Sequence, residues 1–328
     1  MKKLVRKGKS IGKCKLRTKF LINLAIVCLI IFIVIISFYY FNLHLTPGIG
    51  PAGPDVPGKP FNRLWSDKKI LLLGLGDSVT AGFGASKGLS YFDRLMENSP
   101  NDCKDMLGKN LSKVFPNLKT KNLALSGSNS LHHLRKIQSL EVHPSDFSGI
   151  VVMTTGGNDL IHNYGRALPK EGAMYGATFD EAKSWIDNFK NRLDQMILIL
   201  NKKFPGGCHI FLANIYDPSD GTGNTSSWLT GLPYWPDGLK ILKDYNETIS
   251  LCADKYDFVH LVNIYDTFLG HGIHCKKFWI RHYHFKDPHY WYFMNIEDPS
   301  ERGYDAIRRL FLLEMIETLP NSFSSNKK

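Results

Sequence analysis

Residues 69–84, Lys-Ile-Leu-Leu-Leu-Gly-Leu-Gly-Asp-Ser-Val-Thr-Ala-Gly-Phe-Gly, decide the fold. The apolar run is short, closes on Gly76 and is followed by a glycine-flanked serine. This is the pattern of a strand buried on both faces that feeds a loop and then a helix. Four further stretches repeat it: 117–127 (NLKTKNLALSG), 149–159 (GIVVMTTGGND), 207–216 (GCHIFLANIY) and 258–266 (FVHLVNIYD). Helical spacing separates them, at 90–98, 103–115, 129–140, 178–203 and 240–255, with a last amphipathic helix over 302–319. The segment from Thr178 opens with Thr-Phe-Asp-Glu, a capping-box signature. Strands alternating with helices of this length predict an α/β sandwich on a mainly parallel sheet, whose sites form at the carboxyl ends of its strands.

Three of those strand ends carry residues suited to chemistry. Gly76-Asp77-Ser78 places a serine on a strand-to-helix turn, where backbone N–H groups are available to negative charge. Taken alone, Ser78 reads equally well as a helix N-cap. Asn122–Ser130 holds Gly127, and Thr155–Asp159 holds Gly156-Gly157-Asn158-Asp159; each alone is also an ordinary turn.

Together the three loops resemble the SGNH hydrolase family, also called GDSL esterases and lipases. The resemblance extends over roughly residues 69–315 and implies a three-layer α/β/α sandwich with a five-stranded, flavodoxin-like sheet. It also implies a serine ester hydrolase working through an acyl-enzyme, with Ser78 as nucleophile. The Gly127 N–H and the Asn158 side chain would then serve the oxyanion hole beside the Ser78 N–H. A donor at such a point is worth on the order of 100- to 1,000-fold in rate.

The last block departs from the pattern. In Asn295-Ile-Glu-Asp298-Pro299-Ser300-Glu301-Arg302-Gly303-Tyr304, Asp298 stands where the family has its histidine and Asn295 where it has an aspartate. An ordinary carboxylate is a poor base for a serine. Five histidines lie just upstream: His271, His274, His282, His284 and His289. Of these, His289 beside Asp287 is the expected replacement base, with His271 as its rival. His271 and His274 are close enough in sequence to suggest a metal, but no third ligand accompanies them, so no metal or cofactor is expected.

The net charge of +11 resides in the N-terminus, where residues 1–19 carry nine cations and no acid, leaving +2 for the rest. A nearly neutral folded part argues against nucleic acid as a partner. Residues 20–41 are uncharged and long enough to cross a hydrocarbon core of roughly 30 Å. A cleavable signal peptide has an apolar core of about 7–15 residues and a small-residue site. The stretch 37–45, SFYYFNLHL, offers no such site, so an uncleaved anchor is the reading. The positive-inside rule then sets residues 1–19 in the cytoplasm and the catalytic domain outside it, membrane-tethered by a single pass.

The expected domain plan is a basic tail at 1–19, an anchor at 20–41, a Pro/Gly-rich linker at 42–66, the hydrolase-like domain at 67–320 and a flexible end at 321–328. Cys103, Cys208, Cys252 and Cys275 fall in the exported part, where disulfides persist, and sequence does not choose among the three pairings. The Gly/Ser/Thr-rich stretch 216–234 reads as a substrate loop or as a plain connection. Small acyl esters on carbohydrate or envelope polymers suit a tethered enzyme. An O-acyltransferase on the same scaffold and a non-catalytic binding domain that lost its histidine are the alternatives.

Overall fold

The computed structural model describes residues 2–40, 44–162, 167–225 and 230–324, and the side chains of 17–40, 44–162, 167–225 and 230–323 among them. It divides into two units, Met1–Leu45 and Thr46–Lys328. The first unit holds helix α1, Lys2–Phe38. Within it Arg17–Phe38, 22 residues that hold an 18-residue window of mean hydropathy 3.2, is long and apolar enough to cross a membrane or to act as a signal sequence. Phe41, the far end of the expected anchor, lies outside the described residues.

The second unit is built on five strands: β1 Lys69–Gly76, β2 Leu118–Asn122, β3 Phe147–Thr154, β4 Cys208–Ala213 and β5 Val259–Val262. They pair in parallel throughout, in the order β2-β1-β3-β4-β5. The central strands β1, β3 and β4 are almost wholly buried, which is why they read as unbroken apolar runs. Strand β2 is an exposed edge carrying Lys119 and Lys121, side chains that discourage further strand pairing.

Along each central strand alternate residues face opposite layers. Leu71, Leu73, Val151, Met153 and Leu212 join one core with Phe189, Leu193 and Met196 of α7 (Phe179–Lys203) and Ile241, Tyr245 and Ile249 of α8 (Gly238–Asp254). The other face is covered by α3 (Tyr91–Met96) and α10 (Glu301–Ser324), where Tyr91 stacks on Phe311 at 4.9 Å. Thr178 and Glu181 form the expected capping box at the start of α7. Four shorter helices complete the unit: α2 Ser78–Ala81, α4 Leu111–Val114, α5 Ser130–Gln138 and α6 Gly157–Ile161, with α9 Ile264–Phe268 following β5.

Three expectations change. The stretch 103–115 is not one helix: a 3₁₀ turn, Lys104–Met106, and α4 are separated by Gly108 at φ +76°, and Asn110 caps α4. The four cysteines of this unit are free; Cys208, Cys252 and Cys275 are buried and Cys103 half-buried. Residues 46–66 are not a spacer, since Ala52, Val56, Phe61 and Trp65 are buried. A Pro/Gly stretch offers many carbonyls and few N–H groups, so guanidinium donors suit it. Arg302 of α10 donates to the carbonyls of Pro47, Gly50 and Pro51, and Asp305 accepts from the Ala52 N–H at 3.1 Å. At the C-terminus, α10 runs to Ser324 through part of the segment expected to be flexible; residues 325–328 lie outside the described residues.

Candidate active site

The strand order reverses direction between β1 and β3, and in a parallel sheet the crevice opens there, beyond the carboxyl ends. Ser78 follows β1, Gly127 follows β2 and Asn158 follows β3, so the sheet itself gathers the three sequence-predicted residues. Gly76 makes the first turn possible. It adopts φ +127°, and a Cβ there would meet the Thr154 carbonyl oxygen at 2.1 Å. Asp77 then caps α2, its Oδ1 accepting from the Val79 N–H at 3.1 Å and the Thr154 hydroxyl at 2.7 Å.

The other two loops are tied down by polar contacts that sequence reasoning missed. His133, buried on α5, bonds Ser128 Oγ through Nε2 and Thr155 Oγ1 through Nδ1, both at 2.8 Å. Burial pushes its pKa down to about 4, so it stays neutral and acts as a brace between the loops. Asp159 accepts from the Ser130 N–H and hydroxyl at 2.9 and 2.5 Å. The signal for both was local: His133 lies three residues past the second loop and Asp159 closes the third, each on the buried side of a short helix.

Ser78, Gly127, Asn158 and Asp298 line one cleft of about 500 Å³. Asn158 Nδ2 gives one hydrogen to Ser128 O at 2.9 Å and keeps a second. Neither the Ser78 N–H nor the Gly127 N–H has a protein acceptor among the described residues. No atom lies within 4 Å of where a Gly127 Cβ would stand, so this backbone opens onto the cleft.

Asp298 is the unexpected neighbour of Ser78. It hangs from a tight turn, 293–298, in which Asn295 Oδ1 accepts from the Glu297 and Asp298 N–H groups and Asn295 Nδ2 donates to Asp298 Oδ2 at 2.6 Å. Ile296 at the tip has φ +59°, a strained value for a β-branched residue and of a kind that gathers at functional sites. Asp298 is 2% exposed, and its Oδ1 has no formed hydrogen bond. Burial raises its pKa, and the nearby Ser78 hydroxyl and the Asn295 amide pull it back part of the way. Ser78 and Asp298 share the cleft without a formed hydrogen bond between them.

Two further carboxyls share this environment. Burial lifts Asp77 to about 6, with the Asp298 charge adding to it. Glu297 is lifted to about 8 by burial and by the charges of Asp298 and Asp77, so it keeps its proton at neutral pH.

The insert histidines lie elsewhere, and none lines the cleft with Ser78. His289, the expected base, pairs through Nδ1 with Asp287 at 2.6 Å, and Arg302 clamps that carboxylate with two contacts of 2.8 Å. His271 is buried with its ring flat on Trp291, centroids 3.5 Å apart, and its Nδ1 is bonded to the His289 carbonyl. The reason is the loop after β4: Asp220 accepts from the N–H groups of Gly270, Gly272 and His274 and folds the insert onto itself. His274 bonds the Asn224 carbonyl at 3.1 Å, His284 stacks on His271, and His282 packs at Gly221. The histidine that does line the cleft is His162, at the end of α6.

Among the described residues one group has metal-like spacing, Asp102, Cys103 and Asp305. Its carboxylates are already taken by Arg308, which contacts Asp102 at 2.5 and 2.9 Å, and by Arg309 on Asp305 at 2.9 Å. These residues fasten α10 to the loop before α4 and offer a cation nothing.

The GDSL-like lipase/acylhydrolase family model matches residues 75–292. The chain belongs to that family. The match takes in Ser78, Gly127 and Asn158 and stops short of Asp298. Membership supports an ester-acting hydrolase. Similar solved structures include a catalytic mutant of Axe2, an acetylxylan esterase from Geobacillus stearothermophilus, at 15% identity and TM-score 0.49, covering 77% of this chain and 96% of that one. An extracellular lipase from Streptomyces rimosus is similar at 16% identity and TM-score 0.49, covering 74% and 98%. A lipolytic G-D-S-L family member from Veillonella parvula is similar at 14% and 0.44, covering 76% and 97%. Among curated proteins none matches the chain.

Proposed function

We propose that this GDSL-family chain hydrolyses carboxylic esters through an acyl-enzyme on Ser78, with Asp298 in place of histidine as general base. The observation that carries the proposal is the meeting of Ser78, Gly127, Asn158 and Asp298 on one cleft. In the first step the Ser78 Oγ–H proton passes to Asp298 while Oγ bonds the ester carbonyl carbon. The resulting oxyanion takes hydrogen bonds from the Ser78 and Gly127 N–H groups and from the free hydrogen of Asn158 Nδ2. Collapse breaks the bond to the alcohol oxygen, and Asp298 returns the proton to it. Water then repeats the sequence on the acyl-enzyme, releasing the acid and restoring Ser78.

A surface carboxylate is too weak a base for this, but a buried one with a raised pKa is stronger. The short polar reach of Asp298 from a strained turn fits a residue positioned for chemistry. Asn158→Ala removes one oxyanion donor and should lower kcat on p-nitrophenyl esters by about 100- to 1,000-fold with little change in KM. A loss confined to KM would remove Asn158 from the oxyanion site.

Location follows from the first unit. The apolar helix and the nine uncompensated cations before it support a single-pass anchor with residues 1–19 in the cytoplasm and the hydrolase domain outside. A periplasmic- or exoplasmic-only reporter fused after Lys328 should therefore be active. Activity of a cytoplasm-only reporter at that point would reverse the topology.

A further inference from the structure

We infer that residues 276–286 form a lipid-docking surface, where Phe278, Trp279 and Phe285 enter the interface of a bilayer and Lys277, Arg281 and Lys286 meet its anionic headgroups. The inference goes beyond the ester chemistry and takes from the anchor reading only that a bilayer is at hand. Among the described residues of the second unit these rings are the most exposed Phe, Tyr or Trp side chains, at 74%, 62% and 75%. Large rings clustered in water mark a surface that meets something apolar.

The fold holds the rings out. Lys277 N–H donates to His274 O at 2.8 Å, Ile280 N–H to Lys277 O at 3.1 Å and Asp287 N–H to His284 O at 3.1 Å, so the segment is a series of closed turns. Its inner side is packed. Cys275 is buried, the His282 ring lies against Gly221 and its carbonyl against Gly270, and His284 stacks on the buried His271 with centroids 4.7 Å apart. Between these fixed points Phe278 and Trp279 project edge to face at 5.1 Å, and Phe285 projects with the Lys286 ammonium 5.7 Å from its ring centroid. A face ordered before binding loses little entropy on docking.

Charge decides what the rings meet. The stretch KKFWIRHYHFK holds four cations and no acid, in a chain with only +2 beyond residue 19. The next acid, Asp287, is taken by Arg302 and His289. Cations interleaved with rings ill suit the core of a protein interface, where charged residues are depleted. They suit a headgroup layer, in which rings reach the acyl boundary and cations stay at the phosphates. Position agrees. Tyr290 N–H, four residues past Lys286, donates to the Thr46 carbonyl at 2.9 Å, and Thr46 is where the chain enters this unit, eight residues after Phe38. A tether that short keeps a bilayer at high effective concentration.

The test reads Trp279 in the full chain, reconstituted into vesicles of phosphatidylcholine with or without phosphatidylglycerol, whose brominated acyl chains quench tryptophan. None of the six tryptophans precedes Trp65, so the apolar helix adds no signal. Emission should be quenched on the anionic vesicles, and Trp279→Phe, which keeps an apolar ring, should remove most of that quenching. Each cation at an anionic surface is worth about fivefold, so Lys277→Gln, Arg281→Gln and Lys286→Gln together should lower the docked-to-free ratio about 100-fold. Omitting phosphatidylglycerol or raising salt should act in the same direction and needs no variant to fold. Equal quenching of the parent and Trp279→Phe overturns docking. Quenching of Trp279 that neither lipid charge nor salt moves overturns the anionic surface. Self-association that Trp279→Ser abolishes, without quenching, makes this face a contact between copies and overturns lipid docking. Resistance to extraction by alkaline carbonate tests the anchor on its own, so failure of the anchor and failure of docking are told apart.

Discussion

Ester turnover by Ser78→Ala is expected to fall about 10⁴-fold or more, with the melting temperature nearly unchanged. The size of the effect follows from what the substitution removes. Without Oγ no acyl-enzyme forms, and only binding and the oxyanion donors remain to act on water; in nucleophile knockouts that remainder is roughly 10³–10⁴ above the uncatalysed rate. Stability should hold because the helix cap belongs to Asp77, whose bonds to Val79 and Thr154 do not involve the Ser78 side chain. A variant that keeps full turnover removes Ser78 from the mechanism. A parent that turns over no ester at a range of chain lengths favours a binding domain on the same fold.

Asp298→Asn is expected to cost about 100- to 10,000-fold in kcat, the range of a lost general base. The pH profile distinguishes this base from a histidine. Asp298 accepts a proton only when ionised, and burial holds its pKa above the ordinary carboxylate value of roughly 3.9. Activity should therefore be full at higher pH and fall as pH drops through that raised value. A limb near the histidine value of about 6.5 that survives in Asp298→Asn would move the base elsewhere. His162, the histidine on the cleft, is then tested by His162→Ala. The paired change Asn295→Asp with Asp298→His rebuilds the family's usual acid and histidine on the same turn. It should restore turnover relative to Asp298→Asn and bring in the histidine limb, because the turn that presents residue 298 to Ser78 is unaltered.

Much of the fold was legible because its signals are local. Strands β1, β3 and β4 are buried on both faces, so every position selects for apolar side chains and the run announces itself. Thr178 and Glu181 announce the start of α7 by the same token. Composition misled at 46–66, where prolines and glycines suggested a free linker. Whether such a chain floats or docks depends on what faces its carbonyls, here Arg302 of α10, some 250 residues away in sequence.

The candidate site divides along the same line. Ser78, Gly127 and Asn158 were legible because each sits in a loop immediately after a strand, and parallel pairing brings consecutive strand ends together whatever the rest does. Which group completes the site was not legible, since residues 271–298 carry five histidines and several acids with no regular periodicity to place them. Tertiary contacts place these groups: Asp220 gathers the insert through three N–H groups, Arg302 clamps Asp287 beside His289, and the strained turn at Ile296 sets Asp298 on the cleft that Ser78 lines. Short-range pattern determined the sheet and the three loops at its carboxyl edge. Long-range charge pairing and close packing, which no local window of sequence contains, decided what faces them.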